Sequence, residues 1–338
     1  MGVQIAEILP KKPILLKELE GKKIAIDAFN WIYQFLSIIR DRETGEPLKD
    51  SKGRITSHLS GLFYRTAKIM EAGVKPVYII DGPAPAFKYA TAERNQIKLE
   101  AERRLYLARE KGDKEEIRIA AQLSSRLTGE MIEQSKNLLT YMGIPVFQAP
   151  SEAEAQCAFL CKEKLVYSTA SQDSDSLLFG SLRLIRNLNI TGKRKLPKRN
   201  IFIDINPELI ELKEVLNHMK LTREQLIIVG ILVGTDYNPG IKGIGPKRAL
   251  ELVKTEKTLE KVLGKVEWNI ETPAEKIYNF YVNPPVKNFD IRFVEINEDK
   301  ILKMMVDEHE FSQTRIEKVI KTLKEHQTRQ KNLDSWTK

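Results

Sequence analysis

Seven carboxylates in five short settings are of the type and placement that could hold divalent metal. They are Asp27 in IAIDAFN, Asp81 in VYIIDGP, Glu152 and Glu154 in APSEAEA, Asp173 and Asp175 in ASQDSDS, and Asp236 in VGTDYN. Four of these settings read as the end of a strand or of a buried helix. An acid capping an apolar run is costly to bury unless a cation shares the site. Brought together on one side of a sheet, the five settings would form a cavity whose charge only divalent metal could neutralise, which points to metal-assisted phosphoryl chemistry. An all-oxygen ligand set suits magnesium, with manganese able to take its place.

Taken one at a time, the settings are ambiguous. Ser151 to Glu154 also fits a capping box, in which Glu154 reaches back to a helix terminus. Asp173 and Asp175, at i and i+2 along an extended segment, would point to one side. Like charges that close resist joint ionisation without a cation, yet ordinary turn chemistry also produces Asp-x-Asp. Asp236 follows a buried helix and precedes a glycine-rich turn. Other chemistries find less support. There is no Gly-x-Ser-x-Gly elbow and no Cys or Ser with an evident His partner. A two-carboxylate glycosidase would explain neither the surplus of acids nor the basic clusters. His58, His218, His309 and His326 are scattered singly, so zinc lacks ligands. Cys157 and Cys161, four apart on an apolar helix face, read as small core residues of a reducing compartment.

Alternation of strand and helix supplies the elements that must position the acids. Residues 22–27, 76–81, 144–148 and 165–171 are β-branched runs of strand length, and 29–40 and 56–72 are helical. The class is α/β, with a mainly parallel central sheet covered by helices on both faces. In such sheets ligands bind beyond the carboxyl ends of the strands, where Asp27, Asp81 and the Asp173/Asp175 pair fall. From about 88 to 141 two charged, amphipathic helices are expected, broken at Lys111-Gly112-Asp113. They form either a hairpin packed on the body or a gate over the strand ends. Asn206-Pro207 reads as a helix start. Thr222 with Gln225 makes a capping box for LIIVGILVG, and NPGIKGIGPKRALELV opens a second helix with a glycine-rich turn. Helix–hairpin–helix is the reading for about 222–256. Gly243 and Gly245 let backbone approach a phosphate, and Lys247 and Arg248 begin the next helix. Residues 326–338 read as a flexible polar tail.

Apolar residues at 42% and charged residues at 30% describe a folded globular chain rather than a disordered one. No apolar run reaches the roughly 18 residues of a membrane span, and the N-terminus lacks a secretory pattern, so an intracellular protein with no membrane partner is expected. The net charge is +9, and its distribution is more telling than its size. RLIRNLNITGKRKLPKR, residues 183–199, carries seven basic residues and no acid. An acidic pocket with basic flanks suits a polyanion bridged to metal.

In order and spacing, MGVQ, IAIDAFNWIYQFL, TSHLSGLFYRT, PVYIIDGPAPAFK, GIPVFQAPSEAEAQCA, ASQDSDSLLFG, TGKRKLP, GTDYNPGIKGIGPKRA and QKNLDSW resemble the flap endonucleases of the structure-specific 5′-nuclease superfamily, most closely the archaeal members. The resemblance implies a PIN-like core in a single nuclease domain, 1–325, with a helical arch and a tail. It implies two magnesium ions per active site on the seven acids, and 5′-flap cleavage of branched duplex DNA in replication and repair. Cleavage would fall near the junction, with 5′–3′ exonuclease activity beside it. Lys88 would steady the scissile phosphate. Tyr33 would stack on the terminal base. Gly2, Arg40, Thr56, Arg65 and Lys242 would join Gly243, Gly245, Lys247 and Arg248 along the DNA, with potassium at the hairpin and Thr56 near a 3′-flap pocket. Gln330, Leu333 and Trp336 would dock in a sliding clamp. The acting form would be a cytoplasmic, nucleoid-associated monomer.

Three departures stand out. The family's second gateway cation falls at Asn95 here, leaving Arg94 beside it as the substitute. Ser174 is smaller than the usual residue between the paired acids. Trp336-Thr337 replaces a pair of aromatics in the clamp motif. Rival readings are a sibling 5′ exonuclease, a junction resolvase, or a non-catalytic clamp-associated DNA-binding module.

Overall fold

The structure is a computed structural model. It describes the backbone at 3–41, 44–124, 126–189, 192–195 and 202–336, without the side chains of 90–95, 109, 114, 115, 118, 122, 192–195, 202–204 and 328–336. A short strand, β1 (Lys12–Pro13), precedes β2 (Lys23–Asp27), and two helices, α1 (Ala28–Ile38) and α2 (Ser57–Glu71), carry the chain to β3 (Lys75–Ile80). Ile24, Ala25 and Ile26 of β2 are all fully buried, as a strand covered on both faces requires. The faces differ in character. Ile24 and Ile26 of β2, with Tyr78 and Ile80 of β3, meet Trp31, Phe35, Leu59 and Phe63 from α1 and α2. Ala25, Val77 and Ile79 turn to the opposite face, where Cys157, Leu160 and Cys161 cover them. Both cysteines are buried and free, as core residues. The period-2 alternation of the strands therefore separates two cores.

α3 (Tyr89–Lys111) and α4 (Lys114–Leu123) pack on each other through the turn at Gly112 (φ +67°). Arg104 pairs with Glu116 at 2.7 Å across them. The second helix expected up to 141 is in fact two. α5 (Gly129–Tyr141) starts afresh where Thr128 accepts a hydrogen bond from the Met131 amide, and it buries Met131, Leu138 and Leu139 in the body. Its apolar face drives that packing, so the projecting helical pair ends near 123. α3 departs from the expectation too. Its polar residues run all round, and Leu99, Tyr106 and Leu107 stay exposed.

Next come β4 (Val146–Gln148), α6 (Ala153–Lys162), β5 (Ser168–Ala170), the one-turn α7 (Asp175–Leu178) and β6 (Arg183–Arg186). β7 (Gly192–Lys195) and β8 (Phe202–Ile205) pair as a separate antiparallel ribbon, and part of the basic 183–199 run lies outside the described residues. Asn206-Pro207 does not start a helix. β9 (Glu208–Glu211) follows it, because the alternating residues there complete a sheet edge between β6 and β1. The main sheet runs β1-β9-β6-β5-β2-β3-β4, parallel from β6 to β4 and antiparallel at β9 and β1. The chain steps outward from β2 through β3 to β4, then returns to the other side of β2 as β5. That reversal puts a crevice at the carboxyl ends of β5, β2 and β3.

The remainder is helical: α8 (Leu212–Met219), α9 (Arg223–Val233), α10 (Pro246–Glu256), α11 (Leu259–Leu263), α12 (Ala274–Val282), α13 (Glu298–Leu302) and α14 (Gln313–Trp336). The Thr222/Gln225 capping box begins α9 as expected. The tail expected from 326 continues the α14 backbone to Trp336, in keeping with a run free of Gly and Pro. Among the described residues, no helix is long and apolar enough to cross a membrane.

Candidate active site

All seven carboxylates line one cleft of about 450 Å³ at the crevice made by the strand order. β2 ends on Asp27, β3 is followed by Asp81, and the turn after β5 carries Asp173 and Asp175. α6 brings Glu152 and Glu154, and the turn after α9 brings Asp236.

Contacts from residues distant in sequence decide how several of the acids sit. Asp27 caps α1, accepting from the Asn30 amide at 2.9 Å. The Asn30 side chain donates to Asp173 at 3.1 Å, bridging two settings. The capping-box alternative for Ser151–Glu154 fails. Asp81 accepts from the Ala153 amide at 2.6 Å and so caps α6 from the neighbouring strand, while Glu152 makes no side-chain cap. Glu154 is thereby freed to turn inward, where it accepts from Ser171 Oγ at 2.7 Å. Asp173 and Asp175 are not on one extended segment either. A helical turn opens between them, with Ser174 at its N-cap, yet both face the cleft. Asp175 accepts from the Val3 amide at 3.1 Å and the Tyr281 hydroxyl at 3.0 Å. Gly2 itself lies outside the described residues.

Burial and crowding load the cluster electrostatically. Burial first, then Asp81 and Asp173, push Asp27 well above the usual carboxylate range. Burial first, then Asp175, Asp173 and Asp27, do the same to Glu154. Asp175 is pushed up to about 7 by burial, Asp236 and Asp173. Lys88 Nζ stands 2.6 Å from Glu152 and 3.8 Å from Asp236. Burial pulls Lys88 down, but Glu152, Asp81 and Asp236 outweigh it and leave its pKa raised. Glu152 is raised as well: burial, Asp81 and Asp236 together exceed the help from Lys88. Both halves of this pair moving upward marks a pocket short of positive charge. The donor set is oxygen throughout, and such mutual repulsion is what a hard divalent cation relieves. Among the described residues, no three acidic, histidine or cysteine side chains already converge as a metal cage. The fit therefore rests on chemistry and charge.

Tyr33 and Lys98 also line the cleft, with the Lys98 ammonium 5.1 Å from the Tyr33 ring centre. Neither Lys98 nor Asn30 was singled out from sequence, although both recur at helical spacing from residues that were. The Arg94 side chain lies outside the described residues. Behind Asp236, the buried Tyr237 packs against Phe87, Phe280 and Tyr281.

α9 and α10 pack together around the turn 234–245. Gly243 adopts φ +80°, Gly245 precedes Pro246 at the start of α10, and a Cβ at either glycine would meet only open space. Lys242, Lys247 and Arg248 are exposed there. The surface is thus open to a phosphate backbone. Arg40, expected along the DNA, is half-buried. Its guanidinium donates to the carbonyls of Ser37 (3.0 Å), Gly45 (2.9 Å) and Ala121 (2.7 Å), which fastens the end of α1 to α4. Thr56 is buried just before α2, and Arg65 is half-buried within it. Arg183 is likewise committed, to Glu211 at 3.0 Å and the Tyr167 ring. The side chains of Gln330, Leu333 and Trp336 lie outside the described residues.

Comparison with known proteins finds relatives over the whole chain. Two family models match, the XPG N-terminal domain over residues 1–101 and the XPG I-region over 143–236. Flap endonuclease 1 of Pyrococcus furiosus is 53% identical over 343 residues, covering 100% of both chains. The solved flap endonuclease-1 of Methanococcus jannaschii matches with a TM-score of 0.77 at 38% identity, over 97% of this chain and 100% of that one. The catalytic core of Rad2, solved in complex with DNA substrate, matches with a TM-score of 0.70 at 25% identity, over 94% of this chain and 97% of that one.

Proposed function

The chain belongs to the flap endonuclease family, structure-specific DNA nucleases acting at 5′ flaps, and we propose that its seven-carboxylate cleft is where the phosphodiester is hydrolysed. One observation carries the reading. Five acidic settings far apart in sequence line one cleft at the carboxyl end of the sheet. Asp27, Asp81, Glu152, Glu154, Asp173, Asp175 and Asp236 would hold two magnesium ions, or manganese in their place, some of them through water. Bound there, the ions supply Lewis-acid activation of a water and neutralise charge on the leaving oxygen.

The chain's own groups do the remainder. Lys88 is a cation at neutral pH, since its pKa is raised, so it offers positive charge and hydrogen bonds rather than acting as a base. Its flexible stem lets the ammonium turn from Glu152 to the scissile phosphate. Tyr33 offers a ring on which the terminal base stacks. Asn30 holds Asp27 and Asp173 in one frame. The α9–α10 turn takes duplex backbone through Gly243, Gly245, Lys247 and Arg248, with potassium as its cation. The single strand passes by α3 and α4. Specificity follows from duplex shape, since phosphate contacts position DNA without reading bases. The chain acts as a monomer that Gln330, Leu333 and Trp336 tether to a sliding clamp.

The test is a nucleotide-resolution product map on a double-flap DNA with magnesium titrated and Asp173→Ala run in parallel. The expected result is one main incision near the junction, a 5′-phosphate on the nicked duplex, and no cleavage by the variant. Preference for four-way junctions, or no cleavage at any magnesium or manganese level, would overturn the reading.

A further inference from the structure

We infer that Lys98 is a cation released by the substrate: it rests on Tyr33 in the DNA-free cleft, and a base stacking on Tyr33 displaces it to the adjoining phosphate. The inference deepens the proposed function and rests on it.

Lys98 belongs to α3 and Tyr33 to α1, so their contact joins the projecting helical pair to the body. Lys98 lies nine residues beyond Tyr89, about 14 Å along the helix at 1.5 Å per residue. It nevertheless reaches the same cleft as Lys88 and the acids. The two lysines are used differently. Lys88 is paired with Glu152 and Asp236. Lys98 has no carboxylate within 4 Å among the described residues, and its ammonium stands over the Tyr33 ring at 5.1 Å.

That ring face cannot serve ammonium and base together. Base stacking on an aromatic ring is the stronger of the two contacts when the cation–π pair is only half-buried, so a base that reaches Tyr33 wins the face. The freed ammonium sits on a four-carbon stem beside a nucleotide whose phosphate is the closest new anion. Charge therefore arrives only when a base is seated. An end of the strand that is wrongly placed, or lacks a base, leaves Lys98 on the ring and the phosphate short of one cation.

The experiment is single-turnover cleavage of a 5′-flap DNA and of the same DNA with an abasic site at the nucleotide that meets Tyr33, by the full-length wild type, Lys98→Gln and Lys98→Arg. A phosphate contact short of the reacting atoms should be worth less than the ~100-fold of a transition-state donor, so Lys98→Gln should slow the intact flap about 10-fold. The abasic site should slow the wild type by a similar factor. The two changes together should cost no more than either alone, because each removes the same event. Lys98→Arg should recover most of the rate. On intact DNA, Lys98→Gln should also flatten the salt dependence of binding by about 0.7–0.9 in the log–log slope, and on abasic DNA by nothing. Multiplying losses, or a wild-type rate in Lys98→Gln, would overturn the inference and leave the flap-nuclease reading intact. A wild type that cannot cut the intact flap would remove both.

Discussion

Lys88 Nζ stands 2.6 Å from the Glu152 carboxylate, and both side chains are largely shielded from water. Lys88 is thus the countercharge of the acidic cleft before it is anything else. Replacing it by Met keeps the stem and removes the ammonium. The cleavage rate should fall about 100-fold or more, as for loss of a donor at the reacting phosphate, while flap affinity changes much less. Glu152 would then be a buried carboxylate without its cation. The metal-free variant should therefore unfold at lower urea than the wild type, and magnesium should close part of the gap. A variant of unchanged rate would remove Lys88 from the chemistry.

Asp81 has two duties that substitution can separate. Its carboxylate accepts from the Ala153 amide and so caps α6. It also adds to the repulsion that raises Asp27. Asp81→Asn keeps an acceptor for the cap while removing the charge; Asp81→Ala loses both. Each should abolish cleavage. Only Asp81→Ala should lose the capping energy, about 1 kcal/mol, as read from urea unfolding without metal. Equal destabilisation by the two would mean that the cap is not what Asp81 contributes to the fold.

Gly82 shows why the residue after Asp81 has no side chain. A Cβ there would drive into the Ala149 carbonyl. The Ala149 amide is itself tied to the Ile80 carbonyl at 2.8 Å, and the Gly82 amide to Ser151 at 2.6 Å. Neither partner can retreat without moving β3 or the start of α6. Gly82→Ala should cost about 1–3 kcal/mol by overpacking. It should also lower activity by a larger factor than its stability loss explains, because the shift falls between Asp81 and Glu152. Cleavage at the wild-type rate, measured below the unfolding temperature, would show that the site tolerates the displacement.

The alternating elements and four of the five acidic settings were legible because an apolar run ending in a carboxylate is a local mark. Readings failed where a partner distant in sequence decided the outcome. Glu154 looked like a capping residue, and only the arrival of Asp81 at the Ala153 amide frees it for Ser171. Asn206-Pro207 carried a helix-start signal, but pairing with β6 and β1 made the following residues a strand. Helix-forming residues run from 88 to 141 with little to show that 129–141 buries Met131, Leu138 and Leu139 in the body instead of extending the α3–α4 pair. Arg40 read as a DNA contact, and nothing local showed the three backbone carbonyls that the fold brings to it. Lys98 had no local mark, since its contact with Tyr33 exists only once α3 lies over α1.

The four histidines looked unrelated in sequence, but two of them share a buried network. His58 Nε2 donates to Gln134 at 2.9 Å, and the Gln134 amide donates in turn to His309 at 3.3 Å. His309 Nδ1 stands 3.4 Å from Asp50. His58 Nδ1 is buried with no hydrogen-bond partner among the described residues, so a proton there would go unsolvated. Burial accordingly lowers the His58 pKa to about 4, with His309 adding to the effect. A histidine lowered in the folded state contributes its full stability above its unfolded pKa near 6.5, and the contribution is lost as pH falls toward 4. Other groups titrate in the same interval, and the acidic cleft does so with the opposite sign. The clean measurement is therefore a difference between proteins. His58→Gln keeps a donor to Gln134 and cannot titrate. Relative to the wild type, its unfolding free energy should rise by about 2 kcal/mol between pH 7 and pH 5, the part of the linkage complete by then. A difference that stays flat across that interval would mean that folding does not lower the His58 pKa.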